Sequence, residues 1–180
     1  PAKLPGYNPD RAKDLAEARK IMEELGYGAG KTLKVKVATR NIPLYRDPAV
    51  IFIDQMKAIF IEGELENVDT PLWHAKVTRK DYSIGLNTTG VGVDDPDVNL
   101  VENYTCASER NYTGYCNKDV DDLIFAQSRE TDPVKRKQIL WDAERKIVED
   151  VARPIILHNR SGTCWQPHVR GVTRSEPPRR

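Results

Sequence analysis

An Asx-Pro pair recurs along this chain, at Asn8-Pro9, Asp47-Pro48 and Asp132-Pro133, and it constrains the fold more than any other feature. The Asx side chain accepts from the first free backbone N–H groups of a helix, while proline presets φ at a position that has no N–H partner to lose. Behind each pair an apolar stripe recurs every three or four residues: Ala12, Leu15, Ala18, Met22 and Leu25, then Phe52, Ile53, Met56, Ile59 and Phe60, then Ile139, Leu140, Ala143, Ile147 and Val151. Gly26 and Gly63 are expected as left-handed stops and Pro154 as the end of the last helix. Asn117 is expected to cap a further helix with Val120, Leu123, Ile124 and Gln127 on one face. Between the helices the period changes to two. Leu33, Val35 and Val37 alternate with Lys34 and Lys36 as a strand that runs into a polar loop at 39–46. A second strand is expected at 64–70, broken by Pro71, then a short helical turn through Trp73 and Val77. Strand alternating with helix predicts an α/β sheet, joined late in the chain by a short buried strand at Ile155-Ile156-Leu157.

The segment DYSIGLNTTGVGVDDPD, residues 81–97, is a strand that delivers a loop. Tyr82, Ile84 and Leu86 alternate, and Asn87, Thr88, Thr89, Gly90 and Gly92 follow before Asp94-Asp95-Pro96-Asp97. Small polar residues and glycines expose backbone N–H and C=O groups and short hydroxyls, which suits ligand contact; the alternative is a solvated turn.

The formal charge is +1 and the basic residues are scattered among nearly equal numbers of acids, which excludes a nucleic-acid footprint outside the short stretch from Arg174 to Arg180. No apolar run approaches the roughly 20 residues of a membrane helix. Cys106 and Cys116 sit in a polar, Tyr- and Asn-rich loop with little apolar packing, and a disulfide is expected there, which implies an oxidising compartment. The alternatives are two unrelated thiols or half of a metal site. Neighbouring histidines are lacking, however, and zinc pairs usually have about two to four residues between their cysteines. Cys164, beside Trp165, is expected as a buried thiol.

Five segments in one order carry a resemblance: YNPDRAKDLAEARKIMEELGY (7–27), DYSIGL followed by DDPD, GYCNKDVDDLI (114–124), ETDPVKRKQILWDAERKIVED (130–150), and RPIILH with HVRGV (168–172). In them the chain resembles the C-terminal lobe of the extracytoplasmic solute-binding proteins of peptide-type (family 5) ABC importers. The resemblance implies one α/β lobe of a two-lobed periplasmic-binding-protein fold, with a mixed sheet flanked by helices, over residues 1–172, and a disordered tail at 173–180. It also implies half of a clamp that closes about its solute, with the N-terminal lobe missing. The implied role is substrate binding without catalysis and without a cofactor. The implied partners are a small polar solute or peptide, the N-terminal lobe and a membrane permease, in the periplasm or another extracytoplasmic space.

Carried over residue by residue, the resemblance puts Tyr45, Arg79 and the loop Thr88 to Gly92 at the solute, with Asn87 and Asp94 beside them. Tyr45 would stack on or cap a ligand, and Arg79 would pair with a carboxylate or phosphate. Peptide-binding members clamp the ligand's ammonium with an aspartate four residues before the loop proline and carry a tryptophan three residues earlier. Here those positions are Gly92 and Thr89, so neutral polar groups are expected as ligands rather than free amino termini.

The competing reading takes Asp94, Asp95 and Asp97 as a metal site or as the acid and base of a hydrolase; a stand-alone interaction domain is a third. The Asp-Pro pairing argues for capping instead. His74, His158 and His168 are scattered, and neither a G-x-S-x-G elbow nor a phosphate loop occurs.

Overall fold

The computed structural model describes residues 4, 7, 10–90, 93, 95–158 and 164–171. The Asn8-Pro9 pair, Gly92, Asp94 and the stretch from 172 onward lie outside the described residues.

Helix α1 (Arg11–Glu24) is capped by Asp10, whose side chain accepts from the Lys13 N–H. It ends in a Schellman motif: Gly26, at φ +83°, donates to Glu23 O and Tyr27 donates to Met22 O. Arg19 Nε donates to Ala58 O at 2.7 Å and so ties α1 to the sheet half. Strand β1 (Leu33–Arg40) pairs in parallel with β2 (Ile61–Val68) along its length and with β3 (Ile84–Leu86) at Val37–Thr39, in the order β2-β1-β3. The sheet, expected as mixed, is parallel throughout among the described residues. Helix α2 (Pro43–Met56) crosses from β1 to β2 and α3 (Thr70–Thr78) from β2 to β3. The two faces of β1 carry separate cores, as the period of two requires: Val37, Ala49 and Met56 under α2, and Ala38, Val68, Trp73 and Val77 under α3.

The structure corrects the sequence reading at several points. Helix α2 starts five residues before Pro48, at Pro43, with Ile42 in the cap position, because Tyr45 and Arg46 N–H both find Ile42 O at 2.9 Å. The Asp47-Pro48 pair therefore lies inside the helix, and residues 41–46 are only briefly a loop. Gly63 does not stop this helix. A 3-10 turn (Lys57–Ile59) and Phe60 at φ +63° do, while Gly63 sits in β2, where a Cβ would come within 2.8 Å of Ile53 Cγ1. Its missing side chain lets α2 lie close on the sheet.

The second half is helical. Helices α4 (Pro96–Tyr104), α5 (Lys118–Arg129) and α6 (Pro133–Glu149) surround Leu100, Tyr104, Val120, Ile124 and Ile147. Asn117 caps α5 and Asp132 caps α6 through hydrogen bonds to backbone N–H groups. Helix α6 stops before Pro154, at a second Schellman motif in which Val151 takes φ +52° and stands 67% exposed rather than continuing the apolar stripe. The segment between α4 and α5 joins the halves. Tyr82 Oη donates to Tyr112 O at 2.7 Å, Tyr112 packs on the Trp73 cluster and Tyr115 on the α4–α6 cluster. The Cys106–Cys116 disulfide closes this segment, and Asn111 Nδ2 holds its ends through Thr105 O and Tyr115 O. Cys164 is exposed, not buried. Ile155, Ile156 and Leu157 form no strand and are 51%, 47% and 44% exposed, since no sheet edge within the described residues receives them.

Candidate functional site at the C-terminal edge of the sheet

A parallel sheet places all its strand C-termini on one edge, and here that edge gathers Arg40, Val68 and Leu86. Thr39, fully buried, donates from Oγ1 to Leu86 O at 3.2 Å and locks the end of β1 to the end of β3. One residue further on, Arg40 Nη2 donates to Tyr45 Oη at 2.5 Å and to Asn87 Oδ1 at 3.2 Å. Its guanidinium also lies 4.0 Å from the centre of the Tyr45 ring, within cation–π range. Asn41 N–H, the next donor along, reaches Val68 O at 3.1 Å. The α2 N-terminus opens onto the same edge without a side-chain cap, so its positive dipole end is unshielded. The result is a cationic, aromatic and amide-bearing rim built from three elements.

Tyr45 and Asn87 are thus brought together, Tyr45 from the first turn of α2 rather than from a loop. Thr88, Thr89 and Gly90 follow β3 and are exposed. Gly92 and Asp94 lie outside the described residues. Arg79 stands apart from the others. It is the exposed C-cap residue of α3, which starts at this edge and leads away from it for nine residues, about 13 Å of helix. There it belongs to a third Schellman motif, with Lys80 at φ +57° and Asp81 N–H on Lys76 O.

The acidic pair Asp95 and Asp97 is committed to packing. Asp95 caps α4 through the Asp97 N–H and takes both Arg136 Nη groups, at 2.7 and 2.9 Å. Arg136 first, and the Asp97 N–H second, hold the Asp95 carboxyl below the usual carboxylate range. Asp97 accepts from Ser128 Oγ and from Gln127 Nε2, whose Oε1 in turn accepts from Arg136 Nε. No group of acids, histidines and cysteines suited to a metal ion occurs among the described residues.

Sequence reasoning missed Arg40. It closes an ordinary alternating strand, and only the register that sets Thr39 opposite Leu86 reveals that it meets Asn87. A concavity of about 570 Å³ lies elsewhere, between α4, α6 and the 151–155 segment. It is lined largely by apolar groups such as Leu100, Leu140, Trp141 and Ile155, and three of its polar groups are engaged: Arg153 with Asn103, Tyr7 with Ile155 O, and Lys137 over the Trp141 ring. It is uncovered packing surface rather than a site with converging polar atoms.

No protein-family profile matches the chain, and no curated protein matches it by sequence. Solved structures do match its fold. Haemophilus influenzae OppA in complex with RPPGFSPFR superposes with a TM-score of 0.75 at 20% identity, over 83% of this chain and 31% of that one. The ABC transporter substrate-binding protein CtaP from Listeria monocytogenes gives 0.68 at 25% identity over 83% and 30%, and Staphylococcus aureus NikA in complex with Ni(L-His)2 gives 0.69 at 23% over 77% and 30%. The chain therefore spans about 30% of the length of the structures it matches. It has the fold of one lobe of the solute-binding proteins of peptide-type ABC transporters.

Proposed function

We propose that this chain is the C-terminal, ligand-binding lobe of a substrate-binding protein of an ABC importer for peptides or related polar solutes, and that it is not an enzyme. The observation that carries this reading is the convergence on one sheet edge of Arg40, Tyr45 and Asn87, with the exposed loop Thr88–Gly90 beside them. The C-terminal edge of a parallel sheet is where open α/β folds meet their ligands. Matched structures described as substrate-binding proteins or as peptide complexes support the class of role. The Cys106–Cys116 disulfide supports an extracytoplasmic setting. An N-terminal lobe would close the cleft, and a membrane permease would receive the solute. The commitment of Asp95 and Asp97 to Arg136, Gln127 and Ser128 disfavours the carboxylate-centred hydrolase or metal site.

Titration of the 15N-labelled chain with a pool of di- to pentapeptides tests the placement. Shifts at Tyr45 and Asn87–Gly90, with Arg79 silent, are expected; shifts confined to the α4–α6 concavity would overturn it.

A further inference from the structure

Helix α6 carries a stripe that its own chain leaves uncovered. Val134, Lys137, Trp141, Glu144 and Val148 follow one another at alternating steps of three and four residues, the spacing of a seam between two paired helices. Val134 is 77% exposed and Trp141 51% exposed, so the stripe leaves apolar area in water that a covering partner would remove. The concavity between α4 and α6 runs beside it, with Leu100, Leu140 and Ile147 in its lining.

The charges on the stripe indicate what covers it. Arg136, Arg145 and Lys146 of the same helix are each matched by an aspartate of this chain. Lys137 and Glu144 form no ion pair among the described residues, and the Lys137 ammonium rests 4.9 Å from the centre of the Trp141 ring. These two opposite charges stand equally far on either side of the Leu140-Trp141 pair, so the stripe is its own complement. About a two-fold axis between Leu140 and Trp141, antiparallel α6 helices set Lys137 of each copy level with Glu144 of the other. Val134 then falls near Val148 of the second copy, and the two Trp141 rings lie at the centre. A parallel pairing in register sets lysine against lysine and glutamate against glutamate instead.

We propose that α6 and the concavity beside it form an isologous interface to a second copy of this chain, in which Trp141 of each copy enters the concavity of the other and two Lys137–Glu144 pairs flank it. An aromatic anchor in an apolar hollow with charges at the rim is the anatomy of a specific protein interface. This face lies away from the strand ends, and the inference does not depend on the cleft reading.

Sedimentation equilibrium of the 180-residue chain tests this. A monomer–dimer equilibrium with a Kd on the order of 100 μM is expected. Lys137→Glu and Glu144→Lys should each weaken it about tenfold or more, since each change sets like charges together at both ends of the interface. Mixing the two single variants in equal amounts is the decisive measurement: the mixed pair regains both attractions, so a heterodimer should form where neither variant self-associates. Both positions are exposed, and far-UV circular dichroism checks that the variants are folded. Should either reversal not fold, Lys137→Gln and Glu144→Gln take its place, each weakening the dimer and neither regaining it in the mixture. A chain that sediments as a monomer up to about 1 mM would overturn the proposal. A dimer that withstands both reversals would overturn it too, by placing the contact elsewhere. Failure of the mixed reversal variants to associate would overturn the antiparallel two-fold pairing. If the present chain is monomeric and Trp141 becomes shielded only in a longer chain with a further lobe, the stripe belongs to that lobe and the self-association is refuted.

Discussion

Asp95 and Gln127 show how single side chains are spent on holding the helices rather than on chemistry. The Asp95 carboxyl is stabilised as an anion by Arg136 first and by the Asp97 N–H second, so it titrates lower in the folded chain than in the unfolded one. Its contribution is therefore complete above the unfolded value, near pH 4, and is lost as the pH falls through the folded value. Urea unfolding of the chain and of Asp95→Asn should show a constant gap from pH 7 to about pH 5 that closes below about pH 4. A gap that widens in acid would mean that the carboxyl is not held as an anion. Asp150, bonded by Tyr115 and Asn117, is lowered too and adds to the acid sensitivity in the same direction. Gln127 is fully buried and satisfies both Asp97 and Arg136. Gln127→Leu keeps the volume but removes one hydrogen bond from each of those two partners, which keep Ser128 and Asp95, and should lower unfolding free energy by about 1 to 3 kcal/mol in a denaturant titration.

At the scale of elements, two Asp-Pro pairs with the same sequence signature have different structural consequences. Asp132 accepts from Val134 N–H at 2.8 Å and Lys135 N–H at 3.1 Å, so Asp132→Ala should cost about 1 kcal/mol. Asp47 lies within α2 and, among the described residues, meets only the side chain of Arg46, so Asp47→Ala should fall within about 0.5 kcal/mol of no effect. Chemical denaturation of the two variants separates them; equal losses would contradict the observed start of α2 at Pro43. The disulfide segment is the other element with a measurable contribution. Its cysteines are 10 residues apart, and closing such a loop restricts the unfolded chain by about 2 to 3 kcal/mol on the chain-entropy argument. The double replacement of Cys106 and Cys116 by serine should lose that much. A peptide map without reductant should recover the two cysteines cross-linked, with Cys164 alone alkylated.

The whole molecule presents one rim and no facing wall among the described residues. Receptors that enclose a ligand bury most of its surface, and a single rim supplies at most about half of those contacts. Calorimetry with di- to pentapeptides should therefore find affinities no tighter than roughly millimolar, about 4 kcal/mol. Micromolar binding would mean that this edge is sufficient by itself. The contiguous exposure of Ile155, Ile156 and Leu157 belongs to the same scale. These residues have the composition of a buried strand and lack, among the described residues, an edge to pair with.

The caps at Asn117 and Asp132, the Schellman stop at Gly26, the apolar stripes of α5 and α6 and the alternation of β1 were legible in the residues, because each depends on contacts within one or two turns of chain. The start of α2 was not, since Ile42 and Pro43 lack a capping side chain and Asp47-Pro48 offers the better local signal; the backbone bonds to Ile42 O decide it. The roles of Gly63 and Arg40 depend on residues far along the chain. Ile53 across the α2 crossover requires the glycine, and Asn87, 47 residues away, meets the arginine only once β1 and β3 are in register. Short-range hydrogen bonding and periodicity are properties of the sequence itself. Which strand ends share an edge, and hence which side chains gather there, is settled only when the sheet closes over its two cores.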